Sequence, residues 1–128
     1  MSEDAVKKEV RKWLENKENE SPATLIWFER TNSGWVRDSG SWIRFCRPGT
    51  SDFVCLYINK HHNLGFLFIE CKRPEDKFEL LESQIKFRDK YHKRHPDVEY
   101  IVVQSVEELK NKFNIVALDA VSSLEFNP

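Results

Sequence analysis

An α/β domain with a mixed central β-sheet flanked by helices is predicted by three observations. Apolar runs of strand length alternate with stretches of helical periodicity. Two neighbouring runs are joined by a short polar turn, as in an antiparallel hairpin. A strand–helix–strand order in the second half then requires a parallel crossover. The expected layout is one helix, about four strands, a helix, a strand and a helix.

The first helix is expected over residues 2–17, where Val6, Val10, Trp13 and Leu14 recur at helical spacing and Lys7, Lys8, Arg11 and Lys12 fill the remaining positions. Ser2 is placed to cap it. Glu3 lies one turn before Val6 and Lys7, at the margin of the apolar stripe, and Glu9 borders the same margin beside Val10 and Trp13. Residues 15–22 are polar and read as a loop, followed by strands at 23–30 and 42–46. Between these strands the glycines, serines and asparagine signal turns or a flexible loop. Trp27 and Trp42 are expected in the core. Arg30, Arg37, Arg44 and Arg47 surround the loop; guanidinium forks match phosphate geometry, and Trp35 and Trp42 offer surfaces on which an exposed base stacks. The same arginines equally suit edge strands, paired with local acids.

Residues 48–73 carry the densest chemistry. A hairpin turning at 59–63 brings Asp52, at the start of one apolar run, beside Glu70 and Lys72, at the end of the next. Successive strand side chains face opposite sides, so Phe66, Phe68, Glu70 and Lys72 share one face and Leu67, Ile69 and Cys71 the other. Charges at the end of an apolar hairpin must be paired or must bind an ion. Mg²⁺ takes oxygen ligands at about 2.1 Å and leans on one or two carboxylates, a description that Asp52 and Glu70 fit, with the Cys71 carbonyl as a third oxygen. Lys72 is then placed to orient water or to neutralise charge on a phosphorus centre. His61 and His62 fall in the hairpin turn without a third ligand at metal spacing, and read as solvated.

A long helix is expected from Arg73 to Pro96, with Pro74 in its first turn and Leu80, Leu81, Gln84, Phe87, Arg88 and Tyr91 on one face. Gln84 within that stripe needs a hydrogen-bond partner, unless it sits at the stripe's solvated edge. Lys86, Arg88, Lys90, Lys93 and Arg94 form either a solvated face laced with Glu79, Glu82 and Asp89, the favoured reading, or a surface for the nucleic-acid backbone. Residues 98–103 form a buried strand, Ser105 and Glu108 make a capping box for a last helix over 106–113, and residues 114–128 form a tail that adds an edge strand or packs loosely.

The SDF of residues 51–53 followed by IECK at 69–72 resembles the D…(D/E)xK signature of the PD-(D/E)xK nuclease superfamily, with Ser51 where the proline usually stands. More narrowly the chain is similar to the VRR-NUC domains, the virus-type replication-repair nucleases. The shared features are Glu3 on a first helix, the Arg30, Asn32, Gly34 segment, the Gly49 to Asp52 turn, the Glu70 and Lys72 strand, and Gln84 on the following helix. The resemblance spans about residues 3–113. It implies a restriction-endonuclease-like core and an endonuclease that hydrolyses DNA phosphodiester bonds with Mg²⁺, or Mn²⁺ in its place, structure-selective in replication, repair or recombination. Asp52, Glu70, Lys72, Gln84 and Glu3 are the implied catalytic set, and Arg30, Asn32, Arg47 and Arg73 the implied nucleic-acid contacts.

Composition frames these motifs. The 128 residues suit one domain large enough to bury a core without disulfides, and four tryptophans and nine phenylalanines supply it. A net charge of −1 gives no global attraction to DNA, so binding must come from local positive clusters. Cys46, Cys55 and Cys71 lie in or beside apolar runs without metal-ligand spacing, which suits reduced thiols in a cytoplasmic protein. No signal peptide is visible and no apolar run approaches a membrane span. Symmetric cleavage of two strands would require a homodimer.

Overall fold

Capping chemistry opens the chain. The Ser2 hydroxyl accepts the Ala5 amide at 3.1 Å, and Glu3 and Asp4 sit at the positive end of α1 (Glu3–Glu20). The structure, a computed structural model, describes residues 1–31, 51–75, 80–91 and 93–118, and the backbone of 35–38 and 41–44. After α1 come β1 (Leu25–Arg30), β2 (Trp35–Asp38), β3 (Ser41–Arg44), β4 (Phe53–Ile58), β5 (Leu64–Cys71), α2 (Glu82–Tyr91), β6 (Val98–Val103) and α3 (Val106–Val116).

Four strands form a mixed sheet in the order β1-β4-β5-β6, antiparallel except for the parallel β5–β6 pair that α2 connects. On one face, Val6, Val10 and Leu14 of α1 and Leu109 and Phe113 of α3 bury Leu67, Ile69 and Cys71, all essentially inaccessible. Each such side chain contributes about 1.5–3 kcal/mol, so this face dominates stability. On the other face α2 packs through Phe87, whose ring meets Phe68 at 5.1 Å and Tyr100 at 6.2 Å. The expected α/β sheet flanked by helices is thus present.

The predicted hairpin forms, with Ile58 opposite Leu64. Its turn is built by Asn59, whose side-chain oxygen accepts the amides of His61 and Asn63. His62 takes a left-handed φ of 65°, a conformation that turn histidines tolerate, and both histidines are exposed. Gly65 is required, because a Cβ there would stand 2.7 Å from the Asp97 carbonyl oxygen. Ser105 caps α3 as expected, accepting the Glu108 amide, while Glu108 reaches back to the Gln104 amide.

Five expectations are corrected. The first helix continues to Glu20, through most of the polar stretch at 15–22 that reads as a loop. Part of the loop predicted between the first two strands is itself a strand, β2, which forms a separate two-stranded sheet with β3; the short cross-strand pairing overrides its turn-forming composition. Trp27 is 39% exposed rather than core. A bulge between Leu25 and Trp27 shifts the β1 register, so Leu25 and Phe28 face inward and Trp27 faces out. Pro74 lies in a turn outside α2, whose first-turn acid is Glu82. The last helix continues to Val116, and beyond it Ala117 bridges Asn59.

Candidate metal centre

Asp52 sits in the bend before β4, and backbone hydrogen bonds fix it from both sides. Its amide donates to the Ile69 carbonyl at 2.9 Å and its carbonyl accepts the Thr31 amide at 2.8 Å. Ser51, buried at the motif's proline position, donates its hydroxyl to the Phe53 carbonyl at 2.6 Å and accepts the Thr31 hydroxyl on its own carbonyl. The Asp52 side chain is held in turn: Oδ2 accepts the Cys71 amide at 2.7 Å, and Oδ1 lies 3.3 Å from Lys7 Nζ. Because a strand residue presents its N–H and C=O to the same neighbour, the Cys71 carbonyl leaves on the Asp52 side as well.

Strand parity places Glu70 and Lys72 together on the α2 face, with Lys72 Nζ 3.7 Å from Glu70 Oε1. Glu3 enters from the first turn of α1. One carboxylate oxygen each from Glu3, Asp52 and Glu70 lies within 4.8 Å of the others. Opposite ligands of an octahedral ion with bonds of about 2.1 Å are about 4.2 Å apart, so donors within 4.8 Å of one another stand close to, but somewhat wider than, the span of a single Mg²⁺ or Mn²⁺, and the carboxylates would draw inward on binding one. Of the two acids that the first helix offered, Glu3 joins the cluster and Glu9 is exposed.

Electrostatics mark the pocket as short of positive charge. Among the described residues three carboxylates face two ammonium groups, Lys7 and Lys72, one negative charge more than those two balance. Burial, reinforced by the Asp52 charge, pushes the Glu70 carboxyl up to about 8 against the opposing pull of Lys72 and Lys7. Burial alone would lower the Lys7 ammonium, but the adjoining Asp52 carboxylate outweighs it and raises its pKa. A proton on Glu70 therefore balances the pocket near neutrality, and a divalent cation would displace it. The Cys71 and Cys55 thiols are buried and pushed up by that burial, so both stay protonated and neither offers a thiolate.

Gln84 is buried at the start of α2, three residues before Phe87 and hence on the helix face turned to the sheet. Its Oε1 accepts the Leu81 amide at 2.9 Å, satisfying a donor at the helix start. Arg30 ends β1 exposed, opposite Phe53. Arg73 is exposed, its carbonyl accepting the Gln104 side-chain amide at 3.0 Å. Asn32, Gly34, Cys46, Arg47, Gly49 and Glu79 lie outside the described residues, as do the side chains of Trp35, Arg37, Trp42 and Arg44. Along α2 and just beyond it, Glu82–Lys86, Arg88–Asp89 and Lys93–Asp89 pairs lace the surface.

Lys7 is the site residue that sequence reasoning missed. Its only sequence signal is position: four residues after Glu3, it shares that acid's helix face. Tyr100 was missed too. It stands beside Phe68 on the α2 face, its hydroxyl has no partner among the described residues, and burial with the charges of Glu70 and Asp52 keeps the phenol protonated.

Among the described residues no helix is long and apolar enough to cross a membrane. No protein-family model, no curated protein and no solved structure matches the chain.

Proposed function

We propose that the chain is a metal-dependent endonuclease that hydrolyses DNA phosphodiester bonds. The observation that carries this reading is the convergence of Glu3, Asp52 and Glu70 within 4.8 Å, with Lys72 beside Glu70 at 3.7 Å. Asp52, Glu70 and Glu3 would hold Mg²⁺, with the Cys71 carbonyl as a further oxygen. When bound, the ion supplies Lewis-acid polarisation of the phosphodiester and charge neutralisation.

The chain's own groups do the rest. Lys72, charged and hydrogen-bonding, orients the attacking water and offsets charge growing on the phosphorus oxygens. Lys7 fixes the orientation of the Asp52 side chain through the 3.3 Å pair. Gln84 presents its amide from the start of α2 to a water or a phosphate oxygen. The bend at Asp52, hydrogen-bonded to Thr31 just past β1 and to β5, keeps these groups in register.

Two readings compete: a non-catalytic nucleic-acid-binding module on a nuclease fold, which binds without turnover, and a purely structural ion pair between Glu70 and Lys72 that holds no ligand. Lys7–Asp52 and Lys72–Glu70 each pair an acid with a base, which favours the structural reading. The test is cleavage of branched, nicked, single-stranded and duplex DNA with Mg²⁺ or Mn²⁺. Cutting that stops on chelation and falls about 10²- to 10³-fold in Lys72→Ala is expected; binding without cutting of any substrate sinks the hydrolase.

A further inference from the structure

Beside the acidic cluster, a cavity of about 340 Å³ opens between α1 and the end of β1. Phe53 forms part of its wall, and Lys7, Lys8, Arg11 and Arg30 also line it, against one acid, Asp4, among the described residues. Lys7 reaches Asp52, so this basic wall adjoins the cluster directly. A second cavity, of about 430 Å³, shares Arg11 and Arg30 with the first and continues along β1 to Trp27. There the lining changes character: Glu15, Glu18 and Glu29 repel phosphate, while Trp27 is 39% exposed.

We propose that these two cavities are one groove that seats an unpaired stretch of the substrate strand, its phosphates on Lys8, Arg11 and Arg30 and a base on the Trp27 ring. The inference rests on the nuclease reading for the direction in which the strand leaves the acidic cluster. The order of the lining carries it. Cations come first, next to the site. An exposed indole follows among acids, where a phosphate is disfavoured and a base is accepted by its face, with the Glu18 and Glu29 carboxylates available to exocyclic amino groups and Glu15 paired with Arg11 at 3.2 Å. A duplex keeps its bases stacked on one another and cannot offer one to Trp27, so the substrate class is DNA with unpaired nucleotides flanking the cut.

The test is fluorescence anisotropy in chelator, comparing a labelled single strand of about twelve nucleotides with a hairpin duplex carrying as many phosphates. The single strand is expected to bind more tightly. Trp27→Ala should weaken it about 5- to 100-fold while leaving duplex binding unchanged. The triple change Lys8→Ala, Arg11→Ala, Arg30→Ala should flatten the log–log salt slope by about 2. Trp27→Phe, which keeps a stacking ring, should restore most of the affinity and guards against a folding defect in the alanine variant. Equal affinity for both probes, or wild-type affinity in Trp27→Ala, overturns the groove. Intact cutting with unchanged affinity in the variants removes the groove alone, whereas groove-dependent binding without cutting removes the hydrolase and keeps the groove.

Discussion

The two faces of β5 are built from the same eight residues and serve opposite ends. Toward α1 and α3 the strand presents Leu67, Ile69 and Cys71, fully buried among apolar neighbours. Toward α2 it presents Phe66, Phe68 and then Glu70, a carboxyl that is 5% exposed and faces one more acid than its ammonium partners can balance. Stability is concentrated on the first face and electrostatic tension on the second. Substitutions on the two faces should therefore separate: one set should unfold the chain and leave no specific chemical signature, the other should abolish chemistry in a folded chain.

The largest effect on stability is expected from Phe113→Ala on the covered side. Phe113 is 1% exposed and packs edge-on against Trp13 at 5.3 Å. Its removal should cost about 3–5 kcal/mol, measured by denaturant unfolding. Leu14→Ala should cost about 2–5 kcal/mol by the same mechanism. A loss below about 1 kcal/mol at both positions would show that this face is not the stabilising one.

On the charged face, Lys72→Ala should lower the rate of Mg²⁺-dependent cleavage about 10²- to 10³-fold, the effect of losing one electrostatic stabiliser, with the melting temperature nearly unchanged. Comparable losses of stability and of rate would erase the distinction between the faces.

A pH series sharpens the comparison. Folded Glu70 keeps its proton to about 8, whereas an unfolded glutamate releases it near ~4.3. Between those values the folded state binds more protons than the unfolded one, so this group's contribution to stability falls as pH rises through the window. In chelator the melting temperature should therefore drop from about pH 5 to about pH 8, and Glu70→Gln should flatten that slope. A wild-type slope that persists in the variant would assign the pH dependence to other groups. The smallest effect is local: Ser105→Ala removes the cap that accepts the Glu108 amide and should cost about 0.5–2 kcal/mol, without touching cleavage.

What could be read in the sequence was what short-range rules encode. Alternation along β5 put Glu70 and Lys72 on one face, and the polar residues around Asn59 turned the hairpin. Ser2 and Ser105 announced their helices. The features that escaped depend on partners far along the chain or on a single extra residue. The bulge near Ile26 reverses the facing of Trp27, which composition alone assigned to the core. The Lys7–Asp52 pair joins residues from a helix and a bend that only the packed fold brings together, and the same packing selects Glu3 over Glu9. The start of α2 is set by a side chain, Gln84, bonding the Leu81 amide, and no periodicity signals it.

Calorimetric titration of Mn²⁺ into the wild-type chain and into Asp52→Asn addresses the acidic cluster most directly. Saturable binding of one ion per chain, strengthening as pH rises toward 8 and lost in the variant, is the expected result. No heat of binding in the wild type, or the same isotherm in both proteins, would contradict a cation held by Glu3, Asp52 and Glu70.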